Sequence, residues 1–195
     1  MTASVLALYS SAPDASAQTN CTPSPSGLVA WWPGDGFALD IQGANNGTLV
    51  GGVNYAAGEV GEAFNFGGAN GYVSVPASPA LDLTNAFTIE AWIQLNDLNT
   101  YYFIADKQPS GTAGNNYPGN FEFRVAPSGY MELLHQPDTG DNYVLYGSTL
   151  SLSPAVWHHV AVTLLSRGNV SFYLDGVPAG TSPRKEPSAS GIRNL

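Results

Sequence analysis

The sequence predicts an all-β fold, a two-sheet antiparallel β-sandwich or jelly roll, on three observations. The composition is turn-rich and aromatic: 22 Gly, 14 Pro, 10 Tyr and 8 Phe in 195 residues, with only 11% charged, a mixture that suits many short strands joined by turns. Short apolar runs recur between turn clusters, and none keeps the 3.6-residue period of an amphipathic helix. In the clearest run, FTIEAWIQL at 87–95, Ile89, Ala91, Ile93 and Leu95 alternate with Thr88, Glu90, Trp92 and Gln94, the period-two pattern of a half-buried strand.

In chain order, MTASVLALYSSAPDASA carries an apolar run, Val5 to Tyr9, and an A-x-A site at Ala15-Ser16-Ala17. It reads as a secretory signal at 1–17, without a positive leading segment. Residues 18–26, QTNCTPSPS, read as an exposed linker. Cys21 is the one cysteine, so no internal disulfide forms. From 27 to 195 one domain is expected. Its apolar runs are Leu28–Trp32, GTLVGGVNY, EAFNFG and GYVSVP, followed by FTIEAWIQL. Then come YYFIAD (101–106), NFEFRVA (120–126), YMELLH (130–135), NYVLYG (142–147), WHHVAVTLL and VSFYLDG. Ser166–Asn169 reads as a hairpin loop, and Asp175-Gly176 as a type I′ turn. No stretch is long enough to span a bilayer.

The formal net charge is −9, with only 6 Lys and Arg together. That excludes a basic patch, and with it nucleic acid or an anionic membrane as the natural partner. A lightly charged acidic surface tolerates neutral partners such as polysaccharide, and metal cations.

The ordered set GLVAWWPGDG, GTLVGG, GEAFNF, YVSVP, FTIEAWI, WHHVAVT and VSFYLDGVPAG, over residues 27–182, resembles the laminin-G-like, concanavalin-A-like jelly-roll modules. The resemblance is to the bacterial secreted type with a pentraxin-like strand order. It implies a sandwich that often binds calcium and serves as a glycan-binding or adhesion module in a larger surface or secreted protein. Modules of this kind continue past the YLDG hairpin, whereas this chain stops at SGIRNL, so the closing C-terminal strands are expected to be missing. The family's Asp-rich turn, F-D-G-x-D-D-Y-V, is here Phe66–Val73, with Gly67, Asn70 and Gly71 in place of three carboxylates.

Candidate site residues follow from both sources. Trp31 and Trp32 are neighbours in a strand-like run, so their side chains point to opposite sides. One is expected in the core, and Trp32 is a candidate for stacking on a sugar. Asp35 and Asp40 flank the Gly-rich turn after them and, with Asp106, offer the oxygen chemistry calcium needs. Ordinary Asp-Gly turn chemistry explains each aspartate equally well. Asp106–Asn120 is a long polar loop, of a length that is usually functional or disordered. In pentraxin-like relatives the corresponding loop carries calcium ligands, and Asn115, Asn116 and Asn120 are the matching residue types. Asp138 and Asp141 lie in PDTGDN, read as a plain turn.

Catalysis finds little support in the sequence. His158 and His159 are adjacent and diverge on a strand, and His135 is the only other histidine, so zinc is not expected. There is no G-x-S-x-G elbow and no E-x-D-x-x-E string to pair carboxylates across a glycosidic bond. The favoured function is a non-catalytic, exported carbohydrate-binding or adhesion module, with calcium as the implied cofactor. A spacer domain without a ligand and a glycoside hydrolase or lyase are the alternatives. An aromatic platform beside a polar loop favours the first, and paired carboxylates in a cleft favour the last.

Overall fold

The computed structural model of the chain describes residues 24–68, 70–107, 120–136, 144–166 and 168–184. Residues 1–17, read as a signal, and Cys21, Asn115, Asn116, Asp138, Asp141 and the C-terminal SGIRNL lie outside these residues.

Two four-stranded antiparallel sheets enclose the core. One is a meander of β6 (Tyr102–Lys107), β7 (Phe121–Val125), β8 (Tyr130–His135) and β9 (Val144–Ser151), paired in chain order. The other runs β12 (Val177–Pro183), β11 (Asn169–Leu174), β10 (Trp157–Leu164), β5 (Phe87–Gln94). Two ribbons precede them: β1 (Thr48–Val50) pairs with β4 (Tyr72–Ser74), and β2 (Asn54–Ala57) with β3 (Glu62–Asn65). The only helical element among the described residues is a short 3-10 turn, Pro79–Leu81.

Period-two alternation places the core. Phe123, Val125, Met131 and Leu133 from the meander meet Val160, Val162, Leu164, Val170 and Phe172 from the other sheet, all fully buried. Ile89, Ala91 and Ile93 of β5 pack against this cluster, while Thr88, Glu90, Trp92 and Gln94 face out. Burying a Leu or Phe side chain contributes about 1.5–3 kcal/mol, so this cluster is the main support of both outer faces.

The Asp175-Gly176 hairpin is as expected. Both residues have positive φ, 51° and 76°, as a type I′ turn requires. β12, which follows, was not legible as a strand because it contains Pro178 and Pro183. It is an edge strand, where proline's missing N–H costs little. Gly180 in β12 has φ 128°, and a Cβ there would lie 2.9 Å from the Thr149 backbone nitrogen of β9. Glycine therefore lets the two sheets close on each other along this edge.

The run Leu28–Trp32 is not a strand. Its backbone groups are satisfied in another way. The Trp31 N–H donates to Asp40 Oδ1 at 2.8 Å, and the Trp31 carbonyl accepts from the Ile41 N–H at 2.9 Å. One side-chain carboxylate thus takes the place of a ladder partner.

Candidate functional site

The outer face of the meander brings together the chemistry that the sequence scattered over four strands. Register sets two rows across it. Phe103, Arg124, Glu132 and Gly147 form one; Asp106, Glu122, Leu134 and Leu145 form the next. Arg124 is the hub. Its Nε and Nη2 donate to Glu132 Oε2 at 2.8 and 2.7 Å, its Nη1 pairs with Glu122, and its guanidinium lies 4.2 Å from the Tyr101 ring centroid. Burial works against the charge on Arg124, but hydrogen bonds and attraction from Glu132 and Glu122 outweigh it and raise its pKa. The result is a rigid fork of charge-assisted hydrogen bonds. Around it stand apolar side chains open to solvent: Phe103 is 58% exposed and Leu145 54%. Asp106 completes the acidic edge. Desolvation, then repulsion from Glu122, raises its pKa.

The last row of the sheet, Lys107, Phe121, His135 and Val144, bounds the segments 108–119 and 137–143. The ends of both segments are tied together. Gln136 N–H donates to the Asn120 carbonyl at 2.9 Å, and Asn120 Nδ2 to Gln136 Oε1 at 3.3 Å. His135 Nε2 reaches the Leu83 carbonyl at 3.1 Å. Burial, despite that bond and with help from the Arg184 charge, lowers the His135 pKa. Lys107 and Asn120, the described residues on either side of 108–119, thus lie at the same end of the sheet.

The expected site residues separate. Trp31 is the outward ring, 48% exposed. Trp32, the candidate for stacking on a sugar, is half-buried and its indole N–H donates to the Asn45 carbonyl at 2.8 Å. Asn120 is buried and serves the base of the loop.

Asp40 is buried and accepts five hydrogen bonds: from the N–H groups of Trp31, Gln42, Gly43 and Asn45 and from the Asn45 side-chain amide. Burial alone would raise its pKa, but these donors together lower it to about 2. Asp35 Oδ1 accepts from the Glu62 N–H at 2.8 Å. Calcium needs several oxygens turned to one point. Both oxygens of Asp40 are already taken by N–H groups, and among the described residues no group of three or more His, Cys, Asp and Glu is arranged to hold a metal ion. The Asp40 carboxylate therefore serves the loop's own N–H groups.

Elsewhere His158 is held at both ring nitrogens. His158 Nε2 accepts from the Ser153 backbone N–H at 3.2 Å, so its Nδ1 donates to Asp175 Oδ2 at 2.8 Å. The Ser-His-Asp grouping clamps a hairpin and leaves no ring nitrogen to act as a base. Among the described residues no helix is long and apolar enough to cross a membrane.

The family model for the concanavalin A-like lectin/glucanases superfamily matches residues 66–193. No curated protein matches the chain. Among solved structures it is similar to a domain of an S-layer domain-containing protein from Clostridium thermocellum, at 26% identity and a TM-score of 0.50, over 78% of this chain and 71% of that one. Domain 4 of AbnA, an extracellular arabinanase from Geobacillus stearothermophilus, in complex with arabinotriose, aligns at 16% identity and a TM-score of 0.56, over 78% of this chain and 73% of that one. The binding domain of Paraclostridial Mosquitocidal Protein 1 aligns at 16% and 0.57, over 74% of this chain and 37% of that one.

Proposed function

We propose that this chain, which belongs to the concanavalin A-like lectin/glucanases superfamily, is a non-catalytic, exported module that binds neutral glycan on the outer face of the β6–β9 sheet. The observation that carries the reading is the Arg124 fork with its two carboxylates, set among exposed Phe103, Tyr101 and Leu145. A sugar presents hydroxyl donors along its edge and a C–H surface on its face. The carboxylate oxygens suit the first and the rings the second. The likenesses to an S-layer protein domain and to an arabinanase domain with arabinotriose support a surface or extracellular role.

Hydrolysis fits the same residues poorly. A glycosidase holds its two carboxyl groups on either side of the scissile bond. Here the Arg124 guanidinium occupies the space between Glu122 and Glu132 and pairs with both.

Gly147 provides the test. It lies on the same row as Arg124, and a Cβ there would meet nothing closer than the Met131 carbonyl oxygen at 4.0 Å. Gly147→Leu should fold normally and fill the row. On a glycan array, the expected result is retention of neutral oligosaccharides by the wild type, loss with Gly147→Leu, and no reducing ends released on prolonged incubation. An array with no bound glycan would leave the spacer reading in its place.

A further inference from the structure

The second sheet has an outer face of a different kind. By the alternation of β5, β10 and β11 it carries Trp92 and Gln94, Trp157 and His159, and Tyr173, with Glu90 its one carboxylate among these strands. Trp92 is 52% exposed. Its position is braced rather than loose. The His159 ring meets it with centroids 5.3 Å apart and planes tilted by 58°, and Glu90 Oε2 lies 3.7 Å from His159 Nε2. Further along the face hydroxyls are paired, Thr88 with Thr163 at 3.1 Å and Ser171 with Thr181 at 3.2 Å. Outer faces of sandwiches are ordinarily polar, so two of the chain's 4 Trp on this one call for an occupant.

We propose that this face is a second glycan platform, taking the flat face of a neutral polysaccharide chain, so that the module holds one chain on each side. The proposal rests on the glycan-binding reading above and extends it to a different surface. The face bears almost no charge on a protein of net charge −9, which favours an uncharged partner. It mixes rings with hydroxyl and amide groups, which matches a ligand made of C–H surface and hydroxyls better than an apolar protein surface. Trp92 stands opposite His159, and Tyr173 opposite Ala161. Two strands across and two residues along puts their Cα atoms about 12 Å apart. One sugar ring cannot cover both, so the ligand is a chain and not a monosaccharide. The two sheets meet through the core, so one short oligosaccharide cannot touch both outer faces.

Affinity electrophoresis through gels containing hydroxyethylcellulose, arabinan, xylan or galactomannan tests this. Gly147→Leu, with the charged face blocked, should still be retarded by at least one of them. Adding Trp92→Ala should weaken that residual binding roughly tenfold or more, as for an aromatic anchor, and Trp92→Tyr should restore most of it. If Gly147→Leu passes unretarded through every gel, the platform is overturned. A wild type that is retarded in those gels then leaves the charged-face reading standing, and an unretarded wild type removes both. Sedimentation velocity without polysaccharide closes the other route: a dimer that Trp92→Ala dissolves would make this face an interface between copies and overturn the proposal.

Discussion

The two outer faces of the sandwich share one core and differ in almost everything else. The meander face is organised by charge, with Arg124 locked between Glu122 and Glu132 and Tyr101 over the guanidinium. The β5/β10/β11 face is organised by rings, with Trp92 held by His159. Each design makes a different kind of rigid surface. Partly buried ion pairs fix side chains strongly but leave costly charges behind when one partner is removed. Cross-strand ring pairs stabilise by only about 0.2–1 kcal/mol, and losing one leaves nothing unsatisfied. The charged face should therefore be the fragile one.

Arg124→Met should show this most clearly. It removes the cation shared by the buried Glu122 and the partly exposed Glu132 beside Asp106, and that should cost about 2–3 kcal/mol. For a domain of this size that is a melting-temperature drop of roughly 4–12 °C. Arg124→Lys should recover only part of it, since an ammonium cannot make the fork. Equal melting curves for wild type and Arg124→Met would abolish the contrast between the faces.

A change at Asp40, which belongs to neither row of side chains, sharpens it. The lowered pKa of Asp40, about 2 against an ordinary 3.8, corresponds to on the order of 2 kcal/mol. A depressed carboxylate contributes stability above its unfolded pKa and loses it as pH falls through the folded value. Wild type should therefore lose this contribution between about pH 4 and pH 2. Asp40→Asn should be less stable at pH 7 and converge on wild type in acid, while glycan binding at 20 °C stays unchanged on both faces. Acid melts that stay parallel for the two proteins would contradict the assignment.

On the ring face, Trp92→Ala should cost at most about 1 kcal/mol, although it should weaken the proposed binding there roughly tenfold or more. The smallest effect belongs to Asp106→Asn. A raised pKa means the folded state holds its proton more firmly, so ionised Asp106 weakens folding at neutral pH and the penalty fades as pH falls. Asp106 is exposed and screened by solvent, so the gain at pH 7 should be a few tenths of a kcal/mol. Chemical denaturation at pH 7 and pH 4 should show it shrinking.

Much of this was legible in the sequence because it depends on alternation. The strict period of FTIEAWIQL gave both the core side of β5 and the outward Glu90 and Trp92, and Asp-Gly gave the hairpin. The charged face was harder to see. Glu122, Arg124 and Glu132 are separate polar positions on two strands, and only the β7–β8 register places Arg124 beside Glu132. Arg124 lies one residue before the end of β7 and Glu132 two after the start of β8, so equal counting from the turn mispairs them, and the bulge in β6 hides Asp106 and Phe103 in the same way. The surroundings of Asp40 were hidden for a different reason. Its residue type suits calcium, but four backbone N–H groups and the Asn45 side-chain amide fold around it, and no spacing rule announces that.

Both faces can be followed in one titration. In a ¹⁵N-labelled sample, the Arg124 Nε–H reports on the charged face, the indole N–H groups of Trp92 and Trp157 on the ring face, and those of Trp31 and Trp32 on the N-terminal loop. With a neutral oligosaccharide selected on the array, the Arg124 signal should shift with saturation, the Trp31 and Trp32 signals should stay fixed, and Gly147→Leu should abolish the Arg124 response alone. An Arg124 signal that stays in place while the oligosaccharide binds would contradict the assignment of the β6–β9 face as the glycan site.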